Sequence, residues 1–181
     1  FAYTNTSGRV ITKTLKINGN NWTGYCENLP PEIAFQTPTI PNVDLFENST
    51  RNISVTFNVT DPNGAEDFNE STAIVIFSKT GEPTRSSTPS SCIKTPLDTM
   101  TSNITCNITM YFFDAPGEWN IAVRISDSQF SVEKNATFNV NTLSSISLLS
   151  PSPTIIFPAF DPEALNIPAS NNPLIIKNTG N

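Results

Sequence analysis

Polar and apolar residues alternate with period two through much of this chain. Within 52–60, Ile53, Val55, Phe57 and Val59 interleave with Asn52, Ser54, Thr56, Asn58 and Thr60. That period sends the two sets to opposite faces of an extended strand, one for a core and one for water. The pattern recurs at 103–112, where Ile104, Cys106, Ile108, Met110 and Phe112 share a face opposite Asn103 and Asn107. It recurs again at 119–126, with Trp119, Ile121, Val123 and Ile125 inward, and at 135–140, with Ala136, Phe138 and Val140 inward. Strands are predicted near 32–37, 43–46, 51–60, 72–78, 104–113, 118–127 and 129–140. Turn chemistry separates them at DPNG (61–64), DAPGE (114–118) and DSQ (127–129). Seven short strands in about 110 residues, with no capped helical run, predict an all-β sandwich over 29–141. The Ser/Thr/Pro-rich stretch 79–102 is expected to be an exposed loop or a crossing between sheets.

The flanks read differently. Residues 1–28 hold one extended stretch, RVITKTLKI, in which Ile11, Leu15 and Ile17 alternate with polar residues and Lys13 interrupts the apolar face. A detached strand of this kind can complete a neighbour's sheet, with backbone hydrogen bonds supplying affinity and alternate side chains supplying register. A strand of a preceding domain or an edge strand of the sandwich are the other readings. LPPEI (29–33) marks a boundary, because two prolines bar helix and central strand alike. Residues 142–181 are Pro-rich, with short strands expected near 154–157 and 173–178. These read as the opening strands of a partial second β module, to be completed by further chain or by another subunit.

The polar faces carry Asn-X-Ser/Thr acceptor sites at Asn5, Asn21, Asn48, Asn52, Asn58, Asn69, Asn103, Asn107 and Asn135. Random placement of the chain's Asn, Ser and Thr would give roughly five matches to that three-residue pattern. The excess is partly compositional, so strand phase is the sharper test. Every acceptor that falls on an alternating strand lies opposite the apolar set, where a bulky glycan must sit. N-linked glycans and an exported protein are therefore expected.

Composition narrows the function. Charged residues are 14% of the chain and the net charge is -6, with ten Lys+Arg. A nucleic-acid partner needs clustered basic residues, and none is expected here. No apolar run approaches the length of a membrane span. His is absent, which removes the commonest general base and catalytic metal ligand. Of the three cysteines, Cys92 and Cys106 lie either side of a short Thr/Ser/Pro-rich loop and form the expected disulfide; closing that loop is worth about 3 kcal/mol in the chain-entropy account. Cys26 would then pair elsewhere or not at all, and pairings of Cys26 with either partner remain open alternatives. Sequons and a disulfide both indicate an extracellular, cell-surface location.

The loop DPNGAEDFNE offers oxygen ligands for Ca²⁺ at Asp61, Asn63 and Asp67, although its spacing departs from the EF-hand loop. The same residues also suit a solvated turn in which Asn-Gly supplies the left-handed conformation. Paired carboxylates for glycoside hydrolysis are not placed around any pocket, and no serine sits in a nucleophile motif. An enzyme is not expected. Trp22 and Tyr25, in a stretch read as loop, are weak candidates for stacking on a sugar.

FNVTDPNG (57–64) followed by YFFDAPGEWNIAVRISDS (111–128) resembles PKD-type and related Ig-like domains. Phe113, Pro116, Gly117, Trp119 and Asp127 fall at the matching positions of an aromatic, Pro-Gly corner that leads into an alternating strand ending in Asp. The family's Trp-x-Phe-Gly-Asp-Gly segment is missing, and AIVIFSK stands in its place, so the wider Ig-like group is the better match. Related domains sometimes hold Ca²⁺ between modules, and Asp127 would reach the same end. NNPLIIKNTGN resembles repeat units of large archaeal cell-surface proteins. The resemblance implies an Ig-like sandwich in a filament or surface-layer protein. The expected role is a structural glycoprotein subunit that self-assembles through terminal β-strands, its partners being like copies or a neighbouring surface protein. The alternative is an adhesin or binding module that recognises sugar or protein; the fold itself does not decide between them.

Overall fold

The computed structural model describes residues 10–17, 19–36, 40–149, 155–170 and 175–181. Its body is a sandwich of two four-stranded antiparallel sheets. One sheet has the order β3-β4-β8-β7, from Glu32–Phe35, Thr50–Thr60, Thr101–Tyr111 and Cys92–Pro96. The other has the order β10-β9-β5-β6, from Ser131–Val140, Gly117–Ser126, Asn69–Ser78 and Arg85–Ser86. Flanking it are two-stranded sheets: β1 (Val10–Ile17) with β2 (Asn20–Glu27), and β11 (Ile146–Leu148) with β12 (Ile176–Asn178).

The alternation explains the core. Val55, Phe57, Val59, Cys106, Met110, Trp119, Ile121, Val123 and Ile125 are fully buried between the sheets, while their sequence neighbours face out. Phe77 meets Phe138 across the interior at 4.7 Å between ring centroids, a spacing at which tilted rings attract. Trp119 belongs to this packing, and its indole Nε1 donates to the Ala115 carbonyl at 2.9 Å, so the ring's one polar atom is satisfied.

The predicted strands differ from the observed ones in two places. Residues 79–102 make the expected crossing between the sheets rather than one open loop: they contain β6 in one sheet, a short 3-10 turn (Pro89–Ser91) and β7 in the other. The alternation is obscured there because the polarity is inverted. Ile93 points outward, 63% exposed, while Lys94 is half-buried, donates to the Ala65 carbonyl and lies over the Phe68 ring. Conversely, 43–46 is not a strand. Val43 alone makes a parallel bridge to Val140, donating to the Asn139 carbonyl and accepting from Asn141 N–H. The chain thus begins on the edge of one sheet at β3 and crosses to the edge of the other at Val43. Among the described residues the sandwich has eight strands, close to the seven or so expected.

Polypeptide enters and leaves the sandwich at opposite poles. Glu32, the first residue of β3, pairs with Thr60 at one end, and Val140, the last of β10, pairs with Gly117 at the other. The stretch 10–17 is one arm of a hairpin rather than a detached strand: Leu15 is registered on Trp22 and Ile11 on Cys26, with Gly19 at φ +79 in the turn between the arms. At the far pole, 155–157 is not strand, and β12 pairs with β11 in a small sheet of its own. The closing residues then bond to the sandwich. Thr179, wholly buried, donates from its hydroxyl to Glu47 Oε1, and Asn181 N–H donates to the Leu143 carbonyl.

Candidate functional site

The outer face of the β3-β4-β8-β7 sheet is a ladder of uncharged polar residues. Antiparallel register sets Asn52 opposite Thr109, Ser54 opposite Asn107, Thr56 opposite Thr105, Asn58 opposite Asn103 and Thr60 opposite Thr101. Hydrogen bonds join each rung: Thr109 Oγ1 to Asn52 Oδ1 at 2.8 Å, Ser54 Oγ to Asn107 Oδ1 at 2.6 Å, and Asn103 Nδ2 to Asn58 Oδ1 at 3.0 Å. Four acceptor asparagines therefore share one face. Asn52 and Asn107 are exposed; Asn58 and Asn103 are half-buried against each other. Of the other acceptors, Asn21 lies exposed on β2, Asn48 in the turn before β4 at φ 50, Asn69 at the start of β5 and Asn135 on β10. Asn5 lies outside the described residues.

The two cysteines expected to pair do so directly across β7 and β8, with the sulfurs 2.06 Å apart. Cys106 is in the core. The bridge pins the edge strand β7, which the inverted polarity of Ile93 and Lys94 would otherwise hold weakly. Cys26 lies on β2 opposite Ile11.

At the pole where the chain enters, three carboxylates converge. One oxygen each from Asp61, Asp67 and Asp127 lies within 4.8 Å of the others. Asp61 follows the last residue of β4 and Asp127 the last of β9, so packing of the two sheets against each other brings together residues 66 positions apart in sequence. Each also organises its own turn. Asp61 Oδ1 accepts from Asn63 N–H at 2.7 Å, and Asp127 Oδ1 accepts from Gln129 and Phe130 N–H at 2.6 and 2.5 Å. Asp61 and Asp67 belong to this cluster as the sequence suggested. Asn63 Oδ1 accepts from Leu29 N–H at 2.8 Å, and Asp127 is the third carboxylate.

At the opposite pole Asp114 is wholly buried. It accepts from Arg85 Nε at 3.1 Å, from Arg85 Nη2, and from Tyr111 N–H at 2.8 Å. The hydrogen bonds to Asp114 hold the guanidinium's pKa above its ordinary value. Arg85 also lies over the Tyr111 ring, 4.7 Å from its centroid. Beside it runs a shallow groove of about 400 Å³ lined by Thr84, Arg85, Ser86, Thr88, Asn107 and Tyr111. Nothing in the sequence marked Arg85, since it lies in the stretch read as loop. Asp114 had been legible only as a turn residue. Trp22 and Tyr25 stand on β2 rather than in a loop. Among the described residues, no helix is long and apolar enough to cross a membrane.

No protein-family model, curated protein or solved structure matches this chain.

Proposed function

We propose that this chain is an extracellular structural module: an Ig-like, N-glycosylated subunit of a cell-surface filament or array, of the kind found in archaeal surface glycoproteins. The observation that carries the reading is the placement of the two flanking strand pairs. One hairpin adjoins the sandwich at the pole where β3 begins, and the β11–β12 pair is bonded at the pole where β10 ends. Among the described residues, each of these strands is paired on one edge only. A strand edge of that kind is a template for another chain. Ile11, Leu15 and Ile17 on β1 then set the register of the contact between copies. Glycans at Asn52, Asn107 and the other exposed acceptors keep the broad faces from sticking, so association is confined to the poles. The disulfide supports the extracellular location.

The groove beside Arg85 favours a second reading, a binding module for a polar ligand such as a sugar, because hydroxyls, an amide and an aromatic ring line it together. Negative-stain electron microscopy of native material separates the two. Regular filaments or sheets that disappear when residues 1–18 are deleted support assembly through β1. Dispersed particles in both samples refute it and turn attention to the groove.

A further inference from the structure

We propose that the Asp61, Asp67 and Asp127 carboxylates, closed by the side-chain carbonyl of Asn28, form a Ca²⁺ site that ties the N-terminal hairpin to the sandwich. The proposal stands on local geometry and is independent of the assembly reading.

Three features carry it. First, the separation fits. Two oxygens on one Ca²⁺ are at most about 4.6–5.2 Å apart, given Ca–O bonds of 2.3–2.6 Å. The three carboxylate oxygens all lie within 4.8 Å of one another, so any two of them are close enough to share one ion. Second, Asn28 is only 3% exposed, and its Nδ2 donates to Asp127 Oδ2 at 3.1 Å, which lays the amide against the cluster. Its Oδ1 is buried with no hydrogen-bond partner among the described residues, and so is Asp67 Oδ2. Two buried oxygens left this way are costly in the absence of a cation. Third, the donor set is all oxygen, with three anionic groups and one neutral carbonyl. That chemistry selects a hard divalent cation over Zn²⁺ or copper. Ca²⁺ is favoured over Mg²⁺ because the ligands come from three separate segments. Such a set yields an irregular shell, whereas Mg²⁺ demands a near-ideal octahedron.

The consequence follows from where Asn28 sits. It is the first residue after β2, and Leu29 N–H already donates to Asn63 Oδ1 in the same loop. An ion bound by Asn28 and three sandwich carboxylates makes the junction a second fixed point. The site would stiffen the joint between the hairpin and the sandwich.

The test uses the 181-residue chain at pH 7, stripped with EDTA and titrated with CaCl2 by calorimetry, with thermal unfolding followed in parallel. One binding event per chain is expected. At a free Ca²⁺ concentration one hundred times the Kd, the folding constant should rise about 100-fold over that in EDTA. MgCl2 at equal concentration should give a smaller rise. Asp67→Asn should fold in EDTA like the parent, by circular dichroism, and lose the calcium response. Asn28→Ala should bind about tenfold more weakly, and calcium should no longer slow hydrogen exchange in Val10–Glu27. No heat and no shift with Ca²⁺ would overturn the site. Calcium binding that Asn28→Ala leaves unchanged would overturn the tie to the hairpin.

Discussion

Replacing Arg85 with Ala would strand a charge. Asp114 is fully buried, and Arg85 supplies its only cationic partner among the described residues, through Nε and Nη2. Removing one member of such a pair costs about 3–5 kcal/mol, because the survivor keeps its desolvation penalty and loses its counter-charge. Two details set the value here. The Arg85 side chain retains 15% exposure, so water can reach part of the vacated space, and Tyr111 N–H continues to bond the carboxylate. Loss of the cation over the Tyr111 ring adds up to about 1 kcal/mol. A total near 3 kcal/mol is expected. In urea at neutral pH, with a slope of about 1–1.5 kcal/mol/M for a sandwich of this size, the midpoint should fall by roughly 2–3 M. Asp114→Asn in the Arg85→Ala background removes the stranded charge and should recover part of the loss, giving a coupling of about 1–3 kcal/mol. If Arg85→Ala costs less than about 1 kcal/mol, the pair is solvated in solution and the reasoning fails.

Three further outcomes are expected. Replacing Cys92 and Cys106 together with Ala should destabilise the sandwich by about 3 kcal/mol, the worth of closing the loop between them; native protein that titrates three free thiols would contradict the bridge. Glycan occupancy, read by peptide mass spectrometry, should be high at Asn52, Asn107 and Asn135, and no single molecule should carry glycans at both Asn58 and Asn103, which stand directly opposite and bond to each other. Gly180→Ala should release the C-terminal strand, since a Cβ there would lie 2.0 Å from the Leu143 carbonyl oxygen; amide exchange of Thr179 and Asn181 should accelerate while the sandwich stays protected.

Much of the sandwich was legible because one face of each long strand is buried, so burial imposes the period-two pattern directly. Val55 through Val59 and Trp119 through Ile125 alternate as the packing requires. The same rule hid β7: its cysteine is inside, its isoleucine outside, and a lysine reaches over Phe68, so the strand is held by a disulfide and an amine rather than by apolar burial. β6 has two residues, too few for a period. The carboxylate cluster was half visible. Asp61 and Asp67 lie in one acidic loop, but Asp127 had to be carried to them by the pairing of β5 with β9, and Asn28 by the hairpin boundary. Local sequence reports the turn each Asp caps and leaves unsaid which turns meet.

The flanking elements are joined to the body in a different way from the sheets to each other. Every buried residue of the apolar cluster lies between Ile33 and Val140, and Leu143 of the C-terminal flank packs against it while only partly buried. At the entering pole the junction is Asn28 on Asp127 and Leu29 on Asn63; at the leaving pole it is Thr179 on Glu47, with Asn181 Nδ2 donating to the Asp114 carbonyl. Apolar contacts tolerate sliding, whereas hydrogen bonds are directional. Joints made of them fix an angle with little cost or gain in stability. The in-line assembly proposed above would use that separation: a core of its own, and polar joints at its two ends that set how the next element is aimed. Bonds from Ser145 and Thr179 hold the Glu47 carboxyl below its ordinary pKa. The ionised form is therefore the one the joint uses, and it persists until pH falls below the range of a free glutamate.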